Sequence, residues 1–241
     1  MSPLEELPFS VNIADNVQKI REGIRQAALR VGRDPSTVQL VAATKTVSTG
    51  LLIEAYEAGV RIFGENRLQE AQEKILAVGP RQGLDWHFIG RMQSRKIKDI
   101  VGKFTLVHSV ESVEQAHNIH AVAEKLGIQQ PILLEVNVAG EATKGGFVCN
   151  DMREAIEQID RFPHVAIRGL MTLPPFSDNP DHARPYFAKL RQLLDSLAQR
   201  NLRHGGGVKE LSMGMSHDYQ IAIEEGATMV RVGTAIFGKR G

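Results

Sequence analysis

The chain has 241 residues, of which 42% are hydrophobic and 24% are charged; this length is normal for a single α/β barrel and the composition is that of a globular protein. A formal net charge of +1 gives no overall field that would favour nucleic acid or an anionic membrane as a partner. The single cysteine, Cys149, excludes an internal disulfide and a multi-cysteine zinc site and suits a reducing cytoplasm. The N-terminus has acidic residues where a signal peptide needs basic ones, and no apolar run reaches the roughly 18 residues of a membrane span. We therefore expect one soluble, cytoplasmic domain over residues 1–241.

Strand-like and helix-like segments alternate along the chain after an extra N-terminal helix, which is predicted over 11–32 from apolar residues at helical spacing. The pattern then predicts strands at 36–44, 60–66, 84–90, 104–110, 131–139, 165–172, 208–216 and 227–238. Predicted helices lie between them at 50–59, 67–79, 92–102, 112–127, 151–162, 180–201 and 217–226, the long sixth one starting properly near Pro185.

Eight strands joined by helices predict a parallel sheet with right-handed crossovers, and eight is the number that closes a (β/α)8 barrel. An open doubly wound sheet is the alternative. The segment "HGGGV" at 204–208 reads as a loop and not as a phosphate loop, because no helix follows it.

Polar residues stand where the predicted strands end, and in a (β/α)8 barrel these ends meet at one mouth. The strand ends, with the polar residues and their immediate neighbours, are Lys45, Glu65, Asn66, His87, Gln93, Ser94, Lys96, His108, Ser109, Asn137, Met171, Thr172, Ser212 to Ser216 and Arg231 to Thr234. Some polar ends are expected in any barrel, since each strand must leave the core.

The last two strand ends, "SMGMS" and "VGTAIFG", are more specific. Barrels often bind phosphate with the loops after strands seven and eight. Both loops combine small residues, which let backbone N–H groups approach an anion, with the hydroxyls of Ser212, Ser216 and Thr234. The alternative is that Gly214 and Gly233 only make tight turns; we favour a phosphate site.

Lys45 has two readings. Its stem can cover apolar surface while the amine reaches water, near Glu65. Alternatively, the amine forms a Schiff base with an aldehyde. A rim lysine, two phosphate loops and Arg231 fit a phosphorylated aldehyde cofactor, since pyridoxal phosphate proteins use a lysine and an Asp or Arg partner for the ring nitrogen. Position alone leaves both readings open.

The histidines do not point to a metal. His87 lies inside a predicted strand, where a hydrogen-bonded core role is the commoner one. His108, His117 and His120 lack a carboxylate at metal-ligand spacing, so we expect no zinc or iron site.

Four blocks resemble the YggS/PROSC family of pyridoxal phosphate homeostasis proteins: "VAATKT", "FGENRLQEAQEK", "WHFIGRMQSRKIK" and "LSMGMSHDYQIAIEEGATMVRVGTAIFG". The similarity extends from the first strand to Phe237. It implies a single barrel like the N-terminal domain of alanine racemase, called fold type III among proteins that bind pyridoxal 5′-phosphate (PLP).

The resemblance also implies roles for individual residues. Lys45 would hold the cofactor as an internal aldimine, Arg231 would face the pyridine nitrogen and Asn66 would lie near the ring. The phosphate would be held by Ser212 and the Gly233–Thr234 turn, with Met213, Gly214 and Ser216 lining that side. Lys144 matches a lysine common in the family, whereas Val47 and Arg95 stand where many members have Lys and Asn.

The resemblance favours a carrier or buffer over an enzyme. Arginine does not give up its proton, so it would leave the ring nitrogen unprotonated and the ring a weak electron sink. Racemases of this fold bring a tyrosine base from a second domain, and this chain has three tyrosines, Tyr56, Tyr186 and Tyr219. We expect a monomeric, non-catalytic PLP carrier whose partners include PLP-dependent apo-enzymes. A slow amino-acid racemase is the alternative.

Overall fold

A computed structural model describes residues 12–141, 143–198, 202–204 and 207–238. Part of the stretch on which the signal-peptide prediction rests, residues 1–11, lies outside this range, as do both ends of the predicted 1–241 domain and two glycines of the predicted 204–208 loop. Eight parallel strands form a closed barrel in chain order, with the first strand paired to the last. The predicted (β/α)8 barrel is confirmed and the open sheet is excluded.

The strands are β1 (Gln39–Ala43), β2 (Ile62–Glu65), β3 (Asp85–Phe88), β4 (Leu106–Val110), β5 (Gln130–Glu135), β6 (Val165–Met171), β7 (Glu210–Met215) and β8 (Met229–Val232). The α-helices are α1 (Ile13–Arg30), α2 (Thr49–Glu57), α3 (Leu68–Val78), α4 (Val113–Leu126), α5 (Met152–Ile159), α6 (Arg184–Ala198), α7 (Tyr219–Glu224) and α8 (Thr234–Phe237). Short 3-10 helices occupy Pro35–Thr37, Ser94–Asp99, Cys149–Asp151 and Pro180–Ala183.

The predicted extra helix, α1, completes the outer ring of helices. Asn12 caps it by accepting a hydrogen bond from the Asp15 N–H, and its apolar face is buried. It packs against α2, α7 and α8, and the Asn16 side chain donates to the Ile236 carbonyl at 2.9 Å. Because α8 is a single turn, α1 covers the apolar surface that a full eighth helix would cover.

Side chains alternate between the inside and the outside of the barrel along each strand, so every second residue faces inward. Successive inward-facing residues form two layers in the barrel interior. The lower layer is apolar and consists of Val41, Leu106, Leu133, Met171 and Met229. The residues two positions further along four of these strands are Ala43, His108, Glu135 and Arg231. The interior therefore changes from apolar to mainly polar toward the C-terminal ends of the strands, where the predicted site lies.

Two predicted elements differ from the structure. In the segment 92–102, a short 3-10 helix at Ser94–Asp99 stands where an α-helix was predicted. The predicted eighth strand, 227–238, ends at Val232, and Thr234–Phe237 is helical. An apolar run such as "TAIF" does not by itself distinguish a buried strand from a buried helix turn, and Gly233 breaks the strand. Across the four described ranges, no helix is long and apolar enough to cross a membrane.

Candidate functional site

A cavity of about 300 Å³ opens at the C-terminal ends of β1, β7 and β8, at the lower end of the usual range for small-molecule sites, about 300–1,000 Å³. Its floor is made by Ala43 and Arg231, and one wall by the proline-rich segment 174–180. Predicted site residues on the opposite wall are Ser216, Gly233 and Thr234. The cavity thus brings together four of the nine predicted residues: Ser216, Arg231, Gly233 and Thr234.

Backbone N–H groups converge on Ser216 at the start of α8. The Ser216 hydroxyl oxygen accepts hydrogen bonds from the Gly233 N–H at 3.1 Å and the Ala235 N–H at 3.4 Å. The adjacent loop is held by Asp218, whose carboxylate accepts from the Met215 N–H at 2.6 Å. These two N–H groups donate to a neutral hydroxyl oxygen, and N–H groups at such a place can also donate to an anionic oxygen. The arrangement therefore suits a phosphate group.

Arg231 is fixed in the floor by two hydrogen bonds. Its guanidinium donates to the Ser212 hydroxyl at 2.5 Å and to the Thr172 carbonyl at 2.9 Å. Burial lowers the pKa of Arg231 to about 10, although the charges of Glu135 and Asp218 act to raise it. The guanidinium is therefore cationic at neutral pH. Ser212 is fully buried and is not part of the cavity lining; through the hydrogen bond from Arg231 it orients the guanidinium.

A chain of two histidines continues from Ser212 into the barrel. His108 Nδ1 lies 2.9 Å from the Ser212 hydroxyl, and His108 Nε2 lies 3.0 Å from His87 Nδ1. One arrangement of protons satisfies all these groups with both rings neutral: Ser212 donates to His108, and His108 donates to His87. This confirms the predicted hydrogen-bonded core role of His87.

Burial keeps both histidines neutral. It lowers the pKa of His87 to about 4. For His108, burial is again the main cause, and the nearby His87 ring and Arg231 guanidinium add to it, so that the pKa lies well below its usual value. At neutral pH the cavity floor therefore carries its positive charge on Arg231, while the two neutral histidine rings serve as hydrogen-bond partners.

The neutral state of His87 predicts a loss of stability in acid. Since its pKa is about 4 in the folded protein and about 6.5 when unfolded, the unfolded chain binds the proton more readily as the pH falls below 6.5. At pH 5 this difference costs about 2 kcal/mol, whereas at pH 7 it costs almost nothing. Urea unfolding should show that the free energy of unfolding falls between pH 7 and pH 5 by about 2 kcal/mol less in His87→Asn than in wild type. An equal acid loss in both proteins would contradict this, and the exposed His217→Asn serves as control.

Lys45 follows β1 by two residues. Strand alternation places Val41 inside the barrel and Ala43 in the cavity floor, and Lys45 lies in the turn that directly follows. Its side chain is partly exposed. Asn66 occupies the corresponding position after β2, since Ala43 pairs with Gly64, and its Oδ1 atom is buried without a hydrogen-bond partner. Both residues therefore stand at the rim, although the lining of the 300 Å³ cavity includes neither.

Met213 and Gly214 differ from their predicted roles. The Met213 side chain is fully buried in the core between the barrel and its helices, because it alternates with the inward-facing Ser212. Gly214 has φ +90°, and a Cβ atom there would lie 2.5 Å from the Ala222 Cβ atom. It is required for the close approach of α7 and does not line the cavity.

Glu135 is an acidic group in the mouth that the motif analysis missed. It follows Leu133 of the lower layer by two residues, so the alternation of β5 could have identified it. Burial, followed by the nearby Glu111 carboxylate, raises its pKa, and Arg231 acts in the opposite sense.

Two of the tyrosines have their hydroxyls engaged outside the cavity. Tyr56 donates to the Gln82 carbonyl, and the Tyr219 hydroxyl lies against Gly23 of α1. Lys144 forms an ion pair with Glu141 at 3.1 Å in the loop after β5.

Comparison with known proteins identifies the family. Residues 12–241 match the alanine racemase N-terminal domain family. The pyridoxal phosphate homeostasis protein of Aquifex aeolicus is 43% identical over 230 residues, 95% of this chain and 99% of that protein. The structure of PipY from Synechococcus elongatus PCC7942 with PLP bound is 34% identical, with a TM-score of 0.81 and coverage of 94% and 100% of the two chains.

A more distant structure shares only the fold. Alanine racemase of Clostridium difficile 630 is 16% identical with a TM-score of 0.69, and the match covers 94% of this chain but 57% of that one. The fold, the match over residues 12–241 and the near full-length identity to the Aquifex aeolicus protein agree. The chain belongs to the pyridoxal phosphate homeostasis protein family, whose barrel is that of the alanine racemase N-terminal domain.

Proposed function

We propose that this protein holds PLP covalently on Lys45 and acts in PLP (vitamin B6) homeostasis as a carrier or buffer, without turning over a substrate. The observation that carries the proposal is the cavity at the ends of β1, β7 and β8, which brings together the Arg231 cation and N–H groups that converge on Ser216. Lys45 follows Ala43 of this cavity by two residues along the chain. PLP supplies an aldehyde, which condenses with a primary amine and releases water.

The residues of the cavity suit the parts of this cofactor. We assign the phosphate to Ser216 and the N–H groups at the start of α8, including that of Gly233, because their donors converge on one point. Thr234, exposed at the first turn of that helix, adds a hydroxyl donor. Arg231 faces the ring nitrogen from the floor, and Ser212 holds the guanidinium in that orientation.

Asn66 completes the assignment. Its buried Oδ1 atom lacks a partner among the described residues, and such an atom is costly unless a bound group or water supplies a donor. We place it beside the ring, at the rim next to Lys45.

A non-catalytic role is supported by Arg231 in the cavity and by the positions of two tyrosine hydroxyls outside it. Arg231, which is a cation at neutral pH, leaves a ring nitrogen opposite it unprotonated, and this weakens the ring as an electron sink. The Tyr56 and Tyr219 hydroxyls are directed elsewhere. We further propose that the protein is a cytoplasmic monomer of one domain that supplies PLP to apo-enzymes.

Transfer of the cofactor tests this role. PLP-loaded protein is mixed with a PLP-dependent apo-enzyme in the presence of a phosphatase that destroys free PLP. We expect the apo-enzyme to regain activity, whereas an equal amount of free PLP restores much less. Equal or lower recovery from the loaded protein would contradict a carrier role.

A second assay distinguishes the carrier from a racemase. Loaded protein is incubated with a panel of amino acids in deuterated water, and exchange of the α-proton is followed by NMR. We expect no exchange above that of free PLP. Exchange that depends on the protein would establish catalysis and replace the carrier proposal with the racemase one.

A further inference from the structure

The turn that carries Lys45 has an unusual backbone. Thr46 has φ +59°. Among the residues that the structure describes, it is the only one other than glycine with a positive φ. A β-branched residue in this left-handed region is strained, at a cost on the order of 1–3 kcal/mol. Surrounding contacts must therefore hold the turn after β1 in place.

Those contacts come from two residues one turn apart on α3. The Glu70 carboxylate accepts a hydrogen bond from the Thr46 N–H. The same Glu70 oxygen accepts from the Lys74 amine at 2.6 Å, and Lys74 donates in turn to the Thr44 carbonyl at 2.5 Å. Glu70 and Lys74 thus hold the backbone immediately after and immediately before Lys45.

The Lys74 amine is saturated and hidden from water. Its third hydrogen bond goes to Glu65 at 2.8 Å, and Glu65, which is fully buried, also accepts from the Thr44 hydroxyl at 2.5 Å. Lys74 itself is 6% exposed. An amine with three acceptors in a buried place is fixed in position, and it cannot serve as a second reactive amine without losing them.

We propose that Glu70 and Lys74 are positioning residues that direct the Lys45 amine at the cofactor aldehyde. This inference rests on the proposed function, in which Lys45 makes the covalent bond. Glu70 fixes the left-handed Thr46, and Lys74 fixes Thr44, so the lysine between them leaves the barrel rim in one direction. We call Glu70 and Lys74 together the clamp. If the clamp is removed, the turn relaxes and the Lys45 amine meets the aldehyde less often, while the contacts to the phosphate and the ring are unchanged.

Two ligands separate positioning from a general effect on the site. Pyridoxine 5′-phosphate has the ring and phosphate of PLP but an alcohol in place of the aldehyde, so it cannot bond to Lys45. We expect Glu70→Ala to weaken PLP binding about tenfold and pyridoxine phosphate binding less than about twofold. Glu70→Gln keeps an oxygen that can accept from the Thr46 N–H, and it should restore PLP affinity to within about threefold of wild type. Glu73→Ala, an exposed carboxylate on the same helix, is the matched control.

A second variant covers the case in which Glu70→Ala does not fold. Thr46→Gly is at an exposed position whose φ glycine tolerates, and the freer turn should weaken PLP binding about threefold without changing pyridoxine phosphate binding. Equal loss for both ligands, or no loss for PLP, overturns the positioning role. A wild-type protein that binds both ligands equally well instead overturns the covalent bond itself, and the positioning role with it.

Discussion

Replacing Lys74 with methionine is expected to destabilise the cofactor-free protein by about 3–5 kcal/mol, the usual cost of breaking a buried ion pair from one side. Methionine fills most of the volume of the lysine stem but donates no hydrogen bond. The change leaves the fully buried Glu65 and the Thr44 carbonyl without the donor that they share. Urea unfolding of the apo-protein measures the effect.

Two further variants show whether the ion pairs are responsible. Lys98→Met changes an exposed lysine of the 3-10 helix at Ser94–Asp99 and should alter stability by less than about 0.5 kcal/mol. Adding Glu65→Gln to Lys74→Met removes the unpaired buried carboxylate, so the double variant should recover at least about 1 kcal/mol. A Lys74→Met protein as stable as Lys98→Met would refute the buried network.

Replacing Lys45 with alanine is expected to have the largest effect on the cofactor. Wild type should show an absorption band of the bound aldehyde that survives gel filtration, and the variant should lose it. Affinity for PLP should fall at least about a hundredfold, which corresponds to about 2.7 kcal/mol, because only the phosphate and ring contacts remain. Affinity for pyridoxine phosphate should change little.

Lys144→Ala is the matched control for this experiment. Lys144 is a half-exposed lysine paired with Glu141 in the loop after β5, so its loss should change PLP affinity only a few-fold. If Lys45→Ala retains the band and Lys144→Ala loses it, the covalent bond has been assigned to the wrong lysine. The stability of Lys45→Ala should match that of the wild-type apo-protein, since the Lys45 amine forms no hydrogen bond within the part of the chain that the structure describes.

Much of the fold could be predicted because each element carries its own local signal. The strands of the barrel are short apolar runs, and the helices between them end at glycines such as Gly59 and Gly127. The error at 227–238 arose where the local signal is ambiguous. The helix turn there is held by a distant contact, because the Gly233 and Ala235 N–H groups donate to the Ser216 hydroxyl.

The candidate site could be predicted only in part. Lys45, Arg231 and Thr234 lie at or just after strand ends and could be predicted from their position. Met213 does not line the cavity as predicted, because it alternates with the inward-facing Ser212 and its side chain is buried in the core outside the barrel. The clamp of Glu70 and Lys74, and the chain from Arg231 to His87, depend on contacts between residues distant in sequence. His108 and Ser212 are 104 positions apart and meet at 2.9 Å, and periodicity gives no signal for such a pair.

Reductive trapping tests the central claim most directly. The PLP-loaded protein is treated with borohydride, which makes a bond between the aldehyde carbon and a lysine permanent, and is then digested and analysed by mass spectrometry. We predict one pyridoxyl phosphate group per chain, on the peptide that contains Lys45, and none at Lys74 or Lys144. Modification predominantly at another lysine, or no modification of fully loaded protein, would contradict the assignment of Lys45 as the residue that holds the cofactor.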